Sequence, residues 1–142
     1  MASILMVAGE GLPFIKTGGL ADVIGSLPKA LTERGHEVKV VMPLYKKISE
    51  KYYNELHFDC EYSVSINYHE VPVRVFSKVV DNVCFFFIQH QGYFERDSLY
   101  GYQDDGERFG YFQKAVIEML NQLNYWPNII HCHDWHTGMI PC

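Results

Sequence analysis

The sequence lacks the excess of basic residues that binds nucleic acids or anionic membranes. Its 142 residues include 12 Lys and Arg against 17 Asp and Glu, so the formal net charge is −5. No basic stripe occurs along the chain, and we therefore expect neither a nucleic-acid nor a membrane partner. Hydrophobic residues make up 48% and charged residues 20% of the chain, a composition that excludes a disordered or collagen-like protein.

Long apolar runs and export signals are also missing. The longest apolar run, residues 83–88, is far shorter than the roughly 20 residues of a membrane-spanning helix. The N-terminus has neither a basic segment nor an apolar stretch of signal-peptide length. Cys60, Cys84, Cys132 and Cys142 show no C-x-x-C spacing, and without an export signal we expect them to be reduced. We predict a cytoplasmic protein.

Hydrophobic patterning predicts an α/β fold that begins with two parallel strands. Apolar runs at residues 4–8 and 38–42 predict buried strands. Between them apolar residues recur at helical spacing over residues 20–34, where Pro28 should kink or divide the helix and Gly35 should end it. Because a strand, a helix and a strand follow one another, we expect a βαβ unit with a right-handed crossover.

The middle of the chain has the pattern of antiparallel strands. Residues 56–66 alternate between polar and apolar side chains, as a half-exposed strand does. Residues 71–80 and 83–88 predict two further strands joined by a tight turn at Asp81-Asn82. The sequence therefore predicts a parallel sheet with an antiparallel extension.

The remainder of the chain predicts helix and strand again. Asp104 and Glu107 have the spacing of a capping box, with Asp in place of the usual Ser or Thr. Apolar residues then recur at helical spacing over residues 109–123, which predicts a long helix. Ile129-Ile130 begins another buried strand, and we expect a further helix from His136 onward.

The loop Lys16-Thr17-Gly18-Gly19 lies between the first strand and the first helix, where open α/β sheets bind ligands. Adjacent glycines let a phosphate approach the backbone N–H groups, and Lys16 adds a positive charge. The loop is not a P-loop, whose lysine follows its last glycine, and Phe14 stands where a dinucleotide fingerprint has its third glycine. Loop chemistry alone leaves two interpretations open: a site for a diphosphate or sugar phosphate, or a flexible turn with a solvated lysine.

Residues 9–45, GEGLPFIKTGGLADVIGSLPKALTERGHEVKVVMPLY, resemble the opening of bacterial glycogen synthases and plant starch synthases. Within them K-T-G-G-L-A-D-V is a highly specific signature of that family. Two further blocks follow in the family's order, LYGYQDDGERF at residues 99–109 and HCHDWHTG at residues 131–138. The resemblance thus extends over nearly the whole chain.

The resemblance implies a GT-B glycosyltransferase with two Rossmann-like domains facing a cleft. Such enzymes transfer glucose from ADP-glucose to the non-reducing end of glycogen or another α-1,4-glucan with retention of configuration, and they use no cofactor or metal here. Residues 1–142 would form a partial N-terminal, acceptor-side domain, since the family's T-H-N turn and its nucleotide-binding C-terminal domain lie beyond Cys142. Because transfer needs the donor phosphates and the acceptor hydroxyl held together, we expect this chain alone to be inactive.

The resemblance also implies roles for residues of the first block. Lys16 should contact the donor's phosphates, and Gly18 and Gly19 should offer backbone N–H groups to the same region. Asp22 would accept a sugar hydroxyl, or it is simply a favourable charge at a helix start. Glu10 should line the acceptor side, with an exposed loop carboxylate as the alternative.

Roles in the later blocks follow from the same resemblance. Asp134 is the candidate catalytic residue, as an acceptor of hydrogen bonds from sugar hydroxyls, and His133 lines the acceptor side of the cleft. Phe94 and Tyr100 form a stacking surface for glucose rings, or they cover the edge of the core. Asp97-Ser98 replaces the family's Pro-Gly, which leaves the stiffness of this loop open.

Two other functions remain open at this stage. His131, His133 and His136 could hold zinc with a nearby cysteine in a metal-dependent hydrolase, although no complete ligand set is evident and the histidines equally suit strand and helix ends. A stand-alone glucan- or phosphate-binding module would keep the Lys16 loop without catalysis. An incomplete domain would also leave a bare sheet edge, through which we expect self-association.

Overall fold

A computed structural model describes residues 1–141, which form one six-stranded sheet with helices on its faces. The strands are β1 (Ser3–Val7), β2 (Glu37–Pro43), β3 (His57–Ile66), β4 (His69–Val80), β5 (Val83–Gln89) and β6 (Ile129–Cys132). The helices are α1 (Gly19–Glu33), α2 (Lys46–Tyr52), α3 (Gln91–Phe94) and α4 (Asp105–Gln122), with 3₁₀ turns at Tyr53–Glu55 and Trp135–Thr137.

The sheet has the strand order β3-β4-β5-β2-β1-β6. Strands β5, β2, β1 and β6 run parallel, while β4 pairs antiparallel with both β5 and β3. The predicted α/β class, the parallel β1–α1–β2 unit and the antiparallel extension are therefore confirmed. The carboxyl ends of the four parallel strands lie at one edge of the sheet, and this edge positions the candidate site.

Helix α1 is continuous through Pro28, so of the two predicted effects of this proline, a kink or a division, the division is wrong. Ala21, Ile24 and Pro28 are its buried residues, and their packing outweighs the single backbone hydrogen bond that a proline removes. The predicted end is confirmed: Gly35 has φ +91°, and His36 N–H donates to Leu31 O in a Schellman motif.

Two tight turns connect the antiparallel strands. Asp81 and Asn82 have φ of 51° and 64°, which confirms the predicted turn between β4 and β5. A second turn at Asn67-Tyr68, with φ of 48° and 65°, joins β3 to β4. The sequence pattern predicts no turn type there, because a tyrosine is an unusual residue for a left-handed conformation.

Several local expectations differ from the structure. Ile129-Ile130 does begin a strand, but the prediction that it is buried is wrong, because β6 is an edge strand with both side chains exposed. The capping box is wrong: Asp104 precedes α4, but its side chain bonds Arg96 instead of the helix N-terminus. Helix α2 was not expected, since Ile48 is its only buried residue. In place of a helix from His136 onward, the chain makes the single 3₁₀ turn Trp135–Thr137.

Two further predictions concern the state of the cysteines and the presence of a membrane-spanning helix. Cys60, Cys84 and Cys132 are free thiols, and Cys142 lies outside the described residues. No helix within residues 1–141 is both long and apolar enough to cross a membrane.

Candidate functional site

The three sequence blocks meet at the carboxyl ends of β1 and β6. The first block follows β1, the third begins in the last two residues of β6 and continues beyond it, and Tyr100 of the second contacts both through Glu10 and His136. Tyr100 donates a hydrogen bond to Glu10 and stacks on His136, with ring centroids 4.5 Å apart. The fold thus brings together residues up to 126 positions apart in the sequence, from Glu10 to His136.

Glu10 is buried at the base of this site, with 4% of its surface exposed. Its Oε2 accepts hydrogen bonds from the backbone N–H groups of Thr17 (2.7 Å) and Gly18 (3.1 Å). Its Oε1 accepts hydrogen bonds from the Thr17 hydroxyl (2.8 Å) and the Tyr100 hydroxyl (3.1 Å). The alternative of an exposed loop carboxylate is therefore wrong, because the carboxylate faces inward and all four donors belong to the chain itself.

The rim of the site carries the charged pair of the first block. Lys16 Nζ lies 2.8 Å from both carboxylate oxygens of Asp22, and both side chains are about half exposed. No described atom lies within 4 Å of a Cβ built on Gly18 or Gly19, so space is open beside both glycines. Because Gly18 N–H already donates to Glu10, Gly19 N–H is the glycine donor that no described residue engages.

An aromatic cluster of Tyr100, Trp135 and His136 forms one wall of the site. Trp135 lies 3.9 Å from His136 between ring centroids, and His136 is 2% exposed. Burial lowers the pKa of His136, and neither of its ring nitrogens has a hydrogen-bond partner among residues 1–141. A Cβ at Gly9 would lie 2.8 Å from the His136 ring, which explains why this backbone position requires glycine.

Asp134 lies two residues after the end of β6 and is exposed at the opening of the site. Its backbone has φ 66° and ψ −176°, a conformation that is nearly restricted to glycine. Its carboxylate accepts a hydrogen bond from Trp135 N–H at 2.8 Å. Strain of this kind persists where the surrounding structure imposes it, and it occurs preferentially at functional sites.

His133 is half-buried beside His131, with ring centroids 4.0 Å apart. Burial, and then the neighbouring His131, lower the pKa of His133 to about 4, so its ring is neutral at neutral pH. Its Nε2 has no partner within residues 1–141. No group of three His, Cys, Asp or Glu side chains in this part of the chain is arranged to hold a metal ion.

Phe94 does not belong to the site, so its predicted role as a stacking surface is wrong. Its ring is fully buried and packs edge-on against Tyr45 and Phe112. Phe94 ends the short helix α3, whose geometry turns the ring into the core. Tyr100 remains as the partly exposed aromatic residue of the predicted pair.

Arg108, for which the sequence pattern predicted no role, holds the Tyr100 loop against helix α4. Its side chain is fully buried and donates to Tyr93 O (2.7 Å), Leu99 O (2.9 Å) and Asp105 Oδ1 (2.7 Å). The sequence does contain a signal for the burial of Arg108, because this arginine lies on the apolar face of α4, one turn before Phe112. Arginine suits this task because its planar group offers several donors in fixed directions.

A second ion pair, Arg96–Asp104, joins the two ends of the loop that contains Tyr100. Arg96 binds the two oxygens of Asp104 at 2.6 and 2.7 Å, and its Nε donates to Gly92 O. The hydrogen bond from Arg96 holds the pKa of the Asp104 carboxyl below its usual value. A bidentate ion pair therefore stiffens the loop that contains Asp97-Ser98.

The fold and the site together define a Rossmann-like α/β protein whose glycine loop and aromatic wall face an opening at the carboxyl ends of parallel strands. The chain belongs to the family of the starch synthase catalytic domain, whose sequence profile matches residues 3–142.

Individual relatives agree with this assignment. The chain is 48% identical over 138 residues to a glycogen synthase of Clostridium kluyveri, an alignment that covers 97% of this chain and 29% of the relative. A glycogen synthase of Streptococcus agalactiae is 46% identical with the same coverage. The catalytic domain of starch synthase IV from Arabidopsis thaliana, solved bound to ADP and acarbose, superposes with a TM-score of 0.89 at 34% identity and covers 98% of this chain and 29% of that one. The chain thus spans less than a third of the length of these relatives.

Proposed function

We propose that these residues form the N-terminal, acceptor-side part of a retaining GT-B glucosyltransferase. The complete enzyme moves glucose from ADP-glucose to the non-reducing end of an α-1,4-glucan such as glycogen. The names of the relatives and the ADP and acarbose bound to the similar plant structure support this proposal. The observation that carries it is the rim of the site, where the Lys16 ammonium stands beside the open space at Gly19.

Donor binding uses the charged rim. A diphosphate at the start of α1 meets the Lys16 ammonium, the Gly19 N–H and the positive end of the helix dipole. The phosphate displaces Asp22 from Lys16, and the freed Asp22 carboxylate accepts a sugar hydroxyl. This exchange costs little, because an exposed ion pair contributes about 1 kcal/mol or less.

Acceptor binding and transfer use the other side of the opening. Tyr100 offers a partly exposed ring to a glucose unit, and neutral His133 lines the same side. The exposed Asp134 carboxylate accepts a hydroxyl of the reacting sugar and orients it. A strained, fixed backbone at Asp134 suits this role because orientation contributes strongly to catalysis.

The residues of this chain supply one wall of the cleft, so transfer requires the second domain present in the family. We expect the 142-residue chain alone to transfer no glucose, and we propose a cytoplasmic enzyme without a cofactor. A stand-alone module that binds glucan or phosphate remains the second candidate, since the Lys16 loop and Tyr100 are complete within this chain.

Expression of the whole reading frame that contains these residues tests the proposal. The product should transfer labelled glucose from ADP-glucose to glycogen, and Lys16→Ala should reduce kcat/KM about 100-fold. Lys29→Ala, an exposed lysine on the same helix, is the matched control and should change little. A frame that ends at Cys142, with a product that binds glucan without transfer, would establish the binding module instead.

A further inference from the structure

The hydrogen bonds of Glu10 connect three separate segments of the chain. The carboxylate lies in the loop after β1, two of its donors are the Thr17 and Gly18 backbone N–H groups, and a further donor is the hydroxyl of Tyr100, 90 residues away. A buried carboxylate is costly unless its oxygens are hydrogen-bonded. With four donors, Glu10 is satisfied without any ligand.

This arrangement changes what the glycine loop offers to an anion. Successive backbone N–H groups form a concave binding site for an anion, and here the Glu10 carboxylate fills that site at Thr17 and Gly18. A ligand phosphate therefore meets the next donors along, which are Gly19 N–H and the Lys16 ammonium. The positions of the Gly19 N–H group and the Lys16 ammonium group therefore depend on the loop that Glu10 holds by hydrogen bonds.

The same carboxylate also connects the loop to the aromatic wall. The Tyr100 hydroxyl donates to Oε1, to which the Thr17 hydroxyl also donates, while the Tyr100 ring stacks on His136. A displacement of Tyr100 on the acceptor side therefore alters a hydrogen bond that holds the donor loop.

We propose that Glu10 is a positioning residue, which fixes the Lys16–Gly19 loop for phosphate binding and couples it to Tyr100 without touching either substrate. The coupling to the acceptor side rests on the proposed function, whereas the fixing of the loop does not. A competing account treats Glu10 as a negative charge that merely opposes phosphate. The two accounts predict opposite effects of removing the charge.

The first experiment uses this chain itself, ¹⁵N-labelled, with inorganic pyrophosphate as the probe. Glu10→Gln should accelerate amide hydrogen exchange at Thr17 and Gly18 at least tenfold and weaken pyrophosphate binding about tenfold. Glu33→Gln removes an exposed charge from α1 as the control and should leave both quantities within twofold. Equal or tighter pyrophosphate binding by Glu10→Gln would overturn the proposal in favour of simple charge opposition.

A milder variant keeps the test decisive if Glu10→Gln does not fold. Tyr100→Phe retains the ring and removes one of the four donors, so exchange at Thr17 should still rise by a measurable factor. Tyr102→Phe is the hydroxyl control, because that hydroxyl bonds Ser98 N–H and not Glu10. No difference in Thr17 exchange between the two tyrosine variants would contradict the coupling.

The second experiment uses the complete transferase. Glu10→Gln should raise the KM for ADP-glucose about tenfold with a smaller change in kcat, and Glu10→Gln combined with Tyr100→Phe should cost less than the sum of the two separately. Strict additivity would overturn the coupling. Absence of transfer by the unmodified protein would instead refute the proposed function, and the exchange and pyrophosphate measurements would still decide the role of Glu10 at the loop.

Discussion

Lys16, in the loop before α1, and Asp22, in the first turn of α1, form an ion pair with Nζ 2.8 Å from each carboxylate oxygen. Both side chains are about half exposed, so solvent screens the pair and it stabilises the fold by about 1 kcal/mol or less. Two charged groups that contribute little to stability at the rim of an open site are available for a ligand.

Separate substitutions of this pair should therefore affect binding far more than folding. Lys16→Ala and Asp22→Asn should each leave the free energy of unfolding within about 1 kcal/mol of the unmodified chain. Pyrophosphate binding should be lost in Lys16→Ala and retained or strengthened in Asp22→Asn, because the latter frees the ammonium group. Isothermal titration calorimetry measures pyrophosphate binding by both variants. Weaker binding by Asp22→Asn would contradict the proposal that a phosphate replaces Asp22 as the partner of Lys16.

Arg108 is the buried charge that the fold depends on. Arg108→Met keeps the length of the side chain but leaves Leu99 O and Tyr93 O without their donor, and we expect a loss of about 3 kcal/mol in the free energy of unfolding. Lys114→Met, on the exposed side of the same helix, should cost less than about 1 kcal/mol. Urea denaturation compares the two, and similar losses would show that burial of Arg108 is not the cause.

Three histidines with lowered pKa values, His90, His133 and His136, should make stability fall in mild acid. The pKa of His133 is lowered to about 4 from 6.5, so between these values the unfolded chain binds more protons than the folded one. The contribution of neutral His133 to the free energy of unfolding is therefore complete above pH 6.5 and is lost as the pH falls towards 4. Urea denaturation at pH 7 and pH 5 should show lower stability at pH 5 and a smaller drop in His133→Gln, with the remainder due to His90 and His136. An unchanged drop in His133→Gln would exclude His133 as a source.

Asp134 should show a conflict between stability and function. Its φ of 66° with ψ −176° suits glycine, so Asp134→Gly relieves strain of about 1–3 kcal/mol, while the lost hydrogen bond to Trp135 N–H offsets about 1 kcal/mol. Asp134→Ala loses the same hydrogen bond and keeps the strain. We expect a higher melting temperature for Asp134→Gly than for Asp134→Ala, with transfer abolished in both variants of the complete enzyme. Full transfer by either would remove Asp134 from the catalytic site.

The exposed edge strand β6 should promote self-association of this chain. Ile129 and Ile130 are 49% and 40% exposed there, and one edge of β6 is unpaired within the described residues. Ile130→Lys should lower the apparent mass in light scattering towards that of a monomer. Val79→Lys, an exposed apolar position on the interior strand β4, is the control. A monomeric, cooperatively melting parent chain would contradict the prediction.

Much of the fold could be predicted because its signals are local. The strand at β1, the helix α1 and the end at Gly35 each depend on residues adjacent in the sequence, and the structure confirms them. The parallel pairing of β1 and β2 follows from a general rule of chain connection, because a helix joins the two strands. The capping-box prediction was wrong although Asp104 and Glu107 have the required spacing. Arg96 offers the Asp104 carboxylate a stronger, charged partner than the backbone N–H groups at the start of α4.

The site divides in the same way. The sequence by itself determined the family, the glycine loop and the charges Lys16 and Asp22, since these are carried by contiguous residues with fixed spacing. Only the tertiary structure decided that Glu10 faces inward to Tyr100, that Phe94 is core and that Arg108 is buried. The physical reason is that burial and hydrogen-bond partners depend on other segments of the chain, as Glu10 depends on Tyr100, 90 residues away, and no pattern within one segment specifies which of its polar groups another segment will satisfy.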